Sequence, residues 1–370
     1  MSTGFFHDEK CFWHFGGNYA SVAPVGGLVQ PAEGGGLPES PETKRRLKNL
    51  MEVTGLLAEL DVTSAPMASR EALLRVHPAS YLDAFKEMSD AGGGEIGLRT
   101  PFGKGGYEIA TLSAGLAVAA FESVLNGTHK NAYSLSRPPG HHATADYPMG
   151  FCLMNNIGIA IRAAQATRPD LRVAVIDWDV HHGNGTEAVF YDDPSVLTIS
   201  IHQDRNFPWD KGGVEDRGEG AGVGANINIP LQPGAGHDAY LYAYDTIVRP
   251  EVHKFNPDLI VVACGYDASV ADPLSRMMAG SNTFQELTRR AMEDADALCG
   301  GKLAMTHEGG YSEVHVPFCG HAVLAEMSGS SIVAEDPFGP RAAAQQPNAR
   351  AQAFHREVID DLAAALGCLV

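Results

Sequence analysis

Residues 172–185 read RVAVIDWDVHHGNG, and they join a short apolar run to a dense group of acids and histidines. The run is apolar on both alternating faces, which is typical of a strand covered on both sides of a parallel sheet. Two further runs, 196–202 (VLTISIH) and 258–264 (DLIVVAC), have the same character. Because helical patterns lie between these runs, the chain is predicted to form a doubly wound α/β fold with a parallel sheet.

The alternation of strands and helices continues on either side of these runs. Two more strands are predicted, at 131–136 and 302–307. Ser40-Pro41-Glu42 has the form of an N-cap followed by proline at the first helical position, so it predicts a helix that extends to about residue 60. Further helices are predicted at about 106–126, 155–167, 236–255, 281–298 and 351–366. No repeat or linker divides the chain, which indicates one domain over 1–370.

The charge of the chain limits its partners. Its 45 acidic and 27 basic side chains give a formal charge of −18 over 370 residues. Such a surface repels nucleic acid unless a local basic stripe exists. The densest basic run, 44–48 (KRRLK), lies on a predicted helix just after two acids and indicates a solvated face. No nucleic-acid partner is therefore predicted, whereas cationic peptides or polyamines would be attracted weakly at low salt.

Cysteine usage and the N-terminus predict a cytoplasmic location. The six cysteines form no C-x-x-C pair and most lie in apolar stretches, which favours free thiols in a reducing compartment. The first ten residues, MSTGFFHDEK, lack the pattern of a signal peptide. No apolar run is expected to reach transmembrane length, so no membrane partner is predicted.

Polar residues follow the predicted strands at the edge where parallel α/β sheets bind ligands. If the chain stays extended, its period of two places Asp177, Asp179 and His181 on one side. Asp179 and His181 can then chelate one ion, and Asp267, after another buried strand, is the best candidate for a third ligand. Two carboxylates and an imidazole suit a divalent metal, and three protein ligands leave a position open, as in catalytic sites.

Each of these signals alone has a simpler interpretation. A single D-x-H at a strand end also serves for capping, and Asp267 alone could cap a following helix. Their joint occurrence favours a metal, because several buried charges are costly unless they are paired or metallated. The pattern therefore predicts a metal-dependent hydrolase.

Five stretches resemble the zinc-dependent histone deacetylases, and more closely their class II branch and the bacterial histone deacetylase-like amidohydrolases: RPPGHH (137–142), GFCLMNN (150–156), DWDVHHGNG (177–185), CGYDA (264–268) and HEGGYS (307–312). The resemblance implies an arginase-type α/β domain with a central parallel sheet of about eight strands and helices on both faces. It also implies a catalytic core at about 20–325, before an Ala-, Gln- and Pro-rich surface loop and a final helix at about 330–370.

The resemblance assigns roles to individual residues. It implies one catalytic zinc ion with three ligands: Asp179, His181 and Asp267. His142 matches a general base that later acts as an acid, and His141 matches its electrostatic helper. Asp177 matches the acid that holds His141, and Tyr311 matches the donor to the oxyanion. Gly309 and Gly310 give the loop room to bring the tyrosine ring in.

Substrate-binding and supporting residues follow from the same resemblance. The substrate channel is expected to include Gly150, Phe151, Phe207, Pro139 and Leu274, with the two phenylalanines flanking an acyl-lysine chain. Leu274 stands where polyamine-preferring relatives can carry an acid. Asn184 stands where class I members have an aspartate that pairs with the second histidine, and class II relatives share the asparagine. A neutral amide there predicts a lower pKa for His142. His182 is expected to support the metal ligands.

Potassium is the second implied cofactor. A first site, formed with backbone oxygens near the zinc, is expected at Asp177, Asp179, His181, Ser200 and Ile201. A more peripheral second site is expected at Phe190, Asp193 and Val196. A cation at the first site would tune the His141–Asp177 pair electrostatically.

The resemblance implies an amidohydrolase that removes acetyl or other short acyl groups from lysine side chains in proteins or peptides. An acetylpolyamine amidohydrolase is the alternative within the same class. A catalytically silent binding module would lack Tyr311 or His142, and a dinuclear ureohydrolase would need further acidic ligands. A homo-oligomer is also expected, with the segment 26–41 as a candidate for packing on a neighbour.

Overall fold

In the computed structural model, which describes residues 2–30 and 36–368, eight parallel strands form one central sheet. In chain order they are β1 (Thr3–Phe6), β2 (Asp61–Thr63), β3 (Asn131–Ser134), β4 (Val173–Asp177), β5 (Val196–Gln203), β6 (Asn226–Leu231), β7 (Leu259–Cys264) and β8 (Leu303–His307). Their spatial order is β6-β5-β4-β7-β8-β3-β1-β2. The predicted α/β domain with an eight-stranded parallel sheet is therefore confirmed.

Helices cover both faces of this sheet. They are α1 (Pro41–Thr54), α2 (Arg70–Leu74), α3 (Ala79–Asp90), α4 (Gly106–Leu125), α5 (Asn156–Thr167), α6 (Asn184–Phe190), α7 (His237–Ala243), α8 (Arg249–Phe255), α9 (Ser281–Cys299), α10 (Val316–Ser328), α11 (Gly339–Ala344) and α12 (Ala349–Leu366). A π-helical turn joins α7 to α8. Short 3₁₀ turns lie at Glu9–Trp13, Leu56–Glu59 and Gly220–Gly222. Two antiparallel pairs, Tyr19–Ala20 with Ala23–Pro24 and Gly93–Glu95 with Pro101–Gly103, lie outside the sheet.

The alternation of side chains along a strand divides the core in two. Ala174 and Ile176 of β4 pack into one apolar cluster with α1, α9 and α10. Val173 and Val175 pack into the other cluster with α4 and α5. Both faces of the strand are therefore dry, which explains its continuous apolar run.

Register aligns the carboxyl ends of the central strands. Asp177 at the end of β4 pairs with Ser200 on β5 and with Ala263 on β7. Loops that leave these strands therefore start from one edge of the sheet, and the polar residues predicted at the strand ends lie on those loops.

All five predicted strands are present, with ends within two residues of the prediction. The sequence missed β1, β2 and β6. Thr3–Phe6 lies inside the sheet between β3 and β2, so the sheet includes residues N-terminal to the predicted core boundary at about 20. The first predicted helix ends at Thr54 rather than near 60, because Gly55 adopts a left-handed conformation with φ +90°. The loop predicted at 330–350 contains α11.

By its length and composition alone, helix α4 is long and apolar enough to cross a membrane. The expectation that no apolar run reaches transmembrane length was therefore wrong. In the fold this helix packs on α5 and on β3, and most of its apolar stretch is buried. A core helix of a globular domain satisfies the same test. Residues 31–35 of the segment 26–41, the candidate for packing on a neighbour, lie outside the described residues.

Candidate active site

The three predicted metal ligands lie together at the carboxyl edge of the sheet. Asp179 and His181 follow β4, Asp267 follows β7, and one donor atom from each lies within 4.8 Å of the others. His181 Nδ1 is 3.1 Å from Asp179 Oδ1 and 3.0 Å from Asp267 Oδ2. All three side chains are buried. The sequence spacing therefore identified a group that the fold brings together.

Backbone amides hold the ligand carboxylates in place. The N–H of Val180 donates to Asp267 Oδ1 at 2.7 Å, and the N–H of Gly309 donates to Asp179 Oδ2 at 2.7 Å. Asp177 Oδ1 accepts from the N–H of Asp179 at 3.0 Å. The remaining oxygens of the two ligand carboxylates point toward His181. The two ligand carboxylates are thus held by backbone contacts from two separate segments, the loop after β4 and the loop after β8.

The chemistry of these donors fits a divalent cation. Burial, reinforced by the negative charge of Asp179, raises the pKa of Asp267 to about 6. Two adjacent buried carboxylates are costly without a compensating positive charge. Two carboxylate oxygens and one imidazole nitrogen are ligands that zinc accepts, and such three-ligand sites leave a coordination position open.

Two histidines in series stand beside this centre, with ring centroids 3.9 Å apart. His141 Nδ1 lies 2.9 Å from Asp177 Oδ2, and His142 Nδ1 lies 2.8 Å from Asn184 Oδ1. An amide oxygen only accepts hydrogen bonds, so His142 carries its proton on Nδ1 and exposes an unprotonated Nε2. The Asn184 amide is oriented by a contact of its Nδ2 with Met149 Sδ at 3.2 Å.

The environments of the two histidines separate their pKa values. Burial opposes the charged form of His141, but the carboxylates of Asp179 and Asp177 outweigh it and raise the pKa to about 10. Burial, followed by the neighbouring His141 and His181, holds the pKa of His142 well below its ordinary value. A charged and a neutral imidazole side by side can perform electrostatic and proton-transfer roles, respectively.

Glu308, at the end of β8, holds the turn that carries the histidines. Its Oε2 accepts from the N–H groups of Gly140 at 2.7 Å and His141 at 3.1 Å. Its Oε1 accepts from the Thr306 hydroxyl at 3.2 Å. The sequence placed Glu308 at a strand end without giving it a role, because its two backbone partners lie 167 and 168 residues earlier in the chain.

Tyr311 reaches the same centre from the loop after β8. A Cβ atom added to Gly309 would overlap Asp267 Oδ2 and lie 2.9 Å from the Tyr311 hydroxyl, so the tyrosine oxygen and the ligand carboxylates converge around this glycine. Gly310 has φ +122°, a conformation that disfavours other residues. The N–H of Tyr311 donates to Asp272 Oδ2 at 2.8 Å.

A narrow cavity of about 220 Å³ leads to this group from the surface. Its lining includes four of the five predicted channel residues, Gly150, Phe151, Phe207 and Leu274, together with His142, His181 and Tyr311. Phe207 packs edge-on against His142 at 5.0 Å, and Phe151 packs edge-on against Tyr311 at 5.6 Å. No signal in the sequence indicated four further lining residues, which are partly or largely exposed: Val22, Arg99, Asn206 and Trp209.

Pro139 and His182 lie outside the described lining of the channel. Pro139 was expected in the channel, but it is buried and is absent from the described lining of the cavity. The turn that contains it is fixed from beneath, since the Pro138 carbonyl accepts from Ser113 Oγ at 2.8 Å. His182 pairs with Glu187 at 3.1 Å, and its N–H donates to the Phe207 carbonyl. It therefore supports a channel wall.

The potassium positions differ in character. Asp177 and Ser200 adjoin a buried cavity of about 10 Å³, where Thr186 Oγ1 and Asn228 Oδ1 lack hydrogen-bond partners among the described residues. That space suits one water molecule or ion. Asp179, His181 and Ile201 do not belong to its described lining.

At the second position the local contacts are already made. The Phe190 carbonyl accepts from the N–H of Asp193 at 3.0 Å, and the Asp193 carbonyl accepts from the N–H of Val196 at 3.4 Å. The Asp193 carboxylate pairs with Arg162. Its negative charge is therefore compensated by a side chain within the fold.

A parallel α/β sheet with an Asp–His–Asp cluster, two histidines and a tyrosine at its carboxyl edge has the parts of a hydrolase site. The histone deacetylase domain matches this chain over residues 37–327. The chain therefore belongs to the histone deacetylase family.

Relatives agree with this assignment. The chain is 54% identical over 365 residues to a histone deacetylase-like amidohydrolase of Pseudomonas aeruginosa, covering 99% of this chain and 96% of that protein. It is 37% identical over 303 residues to a probable deacetylase of Archaeoglobus fulgidus, covering 80% and 84%, respectively. The crystal structure of the HDA15 HD domain superposes with a TM-score of 0.82 at 28% identity, covering 99% of this chain and 98% of that one.

Proposed function

We propose that the protein is a zinc-dependent amidohydrolase that removes acetyl or other short acyl groups from lysine side chains in peptides or proteins. One observation carries the proposal: His142, Tyr311 and the metal-ligand His181 line the same narrow cavity between Phe151 and Phe207. Membership of the histone deacetylase family supports an acyl-amide substrate. A slot flanked by aromatic rings suits an alkyl stem whose terminal charge has been removed by acylation.

Asp179, His181 and Asp267 would hold the zinc ion, which would polarise the acyl carbonyl and make water at the site more acidic. His142 presents its unprotonated Nε2 to the channel and takes the proton of the attacking water. His141, held by Asp177, supplies positive charge beside the reacting atoms. The Tyr311 hydroxyl donates to the oxygen that gains negative charge. His142 then gives its proton to the leaving amine.

An acetylpolyamine is the second candidate substrate, because the formal charge of −18 attracts polycations. Two features of the channel favour acyl-lysine. Leu274 is apolar, and the described lining of the cavity contains no carboxylate to bind a distant ammonium group. A polyamine would have to leave its second charge near apolar rings, which is costly.

Further parts of the proposal concern cofactors and assembly. Potassium at Asp177, Asp179, His181, Ser200 and Ile201 is supported by the small polar cavity next to Asp177 and Ser200. A second potassium at Phe190, Asp193 and Val196 has weaker support, since the Asp193 carboxylate is already paired. Homo-oligomerisation and a cytoplasmic location remain predictions from the sequence.

The test is a side-by-side assay of the zinc-loaded protein on acetyl-lysine peptides, trifluoroacetyl-lysine peptides and acetylated polyamines. We expect the lysine substrates to give the higher kcat/KM. Asp267→Asn, at the metal end of β7, should abolish hydrolysis, whereas Asp258→Asn, an exposed acid at the other end of that strand, should leave it unchanged. A clear preference for the polyamines would overturn the substrate assignment, and an active Asp267→Asn would overturn the metal site.

A further inference from the structure

Arg99 is the one lysine or arginine in the described lining of the channel, and that described lining contains no aspartate or glutamate. Its guanidinium carbon is 5.7 Å from the centroid of the Phe207 ring. Arg99 is partly exposed, whereas His142, His181 and Tyr311 in the same lining are buried, so Arg99 lies nearer the solvent end of the cavity. The side chain is half-buried. A fixed positive charge therefore stands beside the aromatic ring that flanks the substrate.

The backbone holds Arg99 in this place. Its φ of +58° is uncommon for a residue with a side chain, and such conformations persist where the surroundings impose them. The Arg99 carbonyl accepts from the N–H of Phe151 at 3.1 Å, and the Leu98 carbonyl accepts from the N–H of Gly150 at 3.0 Å. The segment that carries the guanidinium is thus bonded directly to the channel wall.

Apart from its contact with the Phe207 ring, the guanidinium has no carboxylate partner within 4.0 Å and no side-chain hydrogen bond among residues 2–30 and 36–368. The nearest acid in sequence, Glu95, is exposed, and its Oε1 accepts from the Tyr19 hydroxyl at 2.5 Å and from the N–H of Thr100 at 3.2 Å rather than from Arg99. The Arg99 donors are therefore available to a ligand at the mouth of the channel.

We propose that Arg99 is a specificity-determining residue that binds a carboxylate on the substrate next to the acylated lysine. The inference rests on the proposed function, because it assumes that an acyl-lysine stem fills the channel. Once the stem is buried, the lysine main chain and its neighbours lie at the mouth beside Arg99. A planar guanidinium matches a carboxylate with two parallel hydrogen bonds.

At short range, the positive charge of Arg99 has a larger effect on a bound substrate than the net negative charge of the whole molecule. The net charge of −18 disfavours anionic substrates at a distance, but exposed charges are screened beyond about 8 Å at physiological salt. Contact with Arg99 is made within that distance. The same charge disfavours a substrate that carries an ammonium group next to its acyl amide, as an acetylated polyamine does.

The test uses three acetyl-lysine peptides that differ only in the residue beside the acetyl-lysine, which is Asp, Ala or Lys. The wild type should prefer the Asp peptide over the Lys peptide by about five- to tenfold in kcat/KM, as for a partly exposed charge pair. Arg99→Glu should reverse the order. Arg205→Glu makes the same charge change at a side chain that is 84% exposed and outside the described lining, and it should keep the wild-type order.

The source of the carboxylate is separated by a second pair of probes, peptides that end in acetyl-lysine as the free acid or as the carboxamide. Preference for either the Asp side chain or the free acid, lost in Arg99→Glu, supports the proposal. The proposal is overturned if Arg99→Glu leaves the ratio of kcat/KM between the peptides unchanged. It is also overturned if the variant loses the same fraction of kcat/KM on every peptide, as damage to Phe207 would cause. If the wild type hydrolyses the Ala peptide without distinguishing its neighbours, only this inference fails. If it hydrolyses no peptide, the proposed function fails.

Discussion

At the scale of single residues, the contact between Asn184 and His142 sets the proton chemistry of the site. The amide oxygen accepts from His142 Nδ1 and leaves Nε2 as the free acceptor of a ring that lines the channel. A carboxylate in the same place would also attract a proton to the ring, whereas a neutral amide does not. This contact therefore keeps His142 ready to act as a base near neutral pH.

Asn184→Asp should move the acidic limb of the pH–rate profile to higher pH. The wild-type pKa of His142 is held low by burial and by its histidine neighbours, and a new negative charge at 2.8 Å raises it. His142 must be unprotonated to act as a base. When the pH is lowered, the variant should therefore lose activity at a higher pH than the wild type does. The measurement is kcat/KM against pH for both proteins. Superimposable acidic limbs would show that the pair does not control the base.

Tyr311→Phe should lower kcat by about 10²–10³-fold, the cost of removing one oxyanion donor. Metal content should stay the same, because the Tyr311 hydroxyl lies near the ligand carboxylates without being one of the three ligands. Steady-state kinetics and metal analysis of the purified variant test both statements. A rate near that of the wild type would remove Tyr311 from the mechanism.

Side chains at strand ends were predictable from the sequence, and those that act through distant backbone contacts were not. Asp179, His181 and Asp267 could be predicted because they are ionisable residues that closely follow apolar runs. Asp272 gives no such signal, although it accepts from the N–H groups of Tyr311 and Leu274 and so ties two channel residues together. Pro139 belongs to a matching motif, but it is buried and the described lining of the cavity does not include it.

At the scale of elements, the end of β8 and the turn after β3 form one unit. Glu308 accepts two backbone hydrogen bonds from the turn that carries His141 and His142. Burial, partly offset by the positive charge of His141, raises the pKa of Glu308 to about 7. The strand end therefore fixes the position of the histidines.

Glu308→Gln should lower kcat by about tenfold while KM changes little, since hydrogen bonds to a charged acceptor are weakened in the turn and the channel is untouched. Thr306→Val removes the hydroxyl contact to the other carboxylate oxygen and leaves the turn bonded, so it should behave like the wild type. Kinetics and thermal unfolding of the two variants are the measurements. Equal kinetics in Glu308→Gln and the wild type would contradict the positioning role.

The five consecutive strands β5, β4, β7, β8 and β3 at the centre of the sheet were found from the sequence, whereas β6 on one side of them and the short β1 and β2 on the other side were not. β4, β5 and β7 read as continuous apolar runs because helices cover both sides. β6 at one edge alternates asparagine with isoleucine and contains a proline, and β2 at the other edge is short and largely exposed. Their pairing is decided by neighbours in space, which a local pattern does not contain.

At the scale of the whole molecule, buried neutral histidines link the fold to pH. His77 is fully buried, with Nδ1 2.7 Å from the Ala145 carbonyl and Nε2 accepting from the N–H of Asn155 at 3.0 Å. His77 thereby connects the end of helix α2 to the loop that runs from His142 to the start of helix α5. Burial lowers its pKa to about 4, against 6.5 for an unperturbed histidine.

The free energy of unfolding should therefore fall as the pH falls from 6.5 toward 4. In that range the unfolded chain protonates His77 and the folded chain does not, so the unfolded state binds more protons. The contribution is at most about 1.4 kcal/mol per pH unit. Urea unfolding of the wild type and His77→Gln at two pH values measures it. The decrease in the free energy of unfolding between the two pH values should be smaller in His77→Gln than in the wild type. An equal decrease would show that groups other than His77 cause it.

The proposed function requires one metal ion, held by Asp179, His181 and Asp267, for hydrolysis of an acyl-lysine amide. The most direct measurement is the rate on an acetyl-lysine peptide after chelation and stepwise return of zinc, with bound metal determined at each step. We predict that activity is lost with the metal and recovers in proportion until one ion is bound per chain. Full activity in metal-free protein, or recovery that requires two ions per chain, would contradict the account.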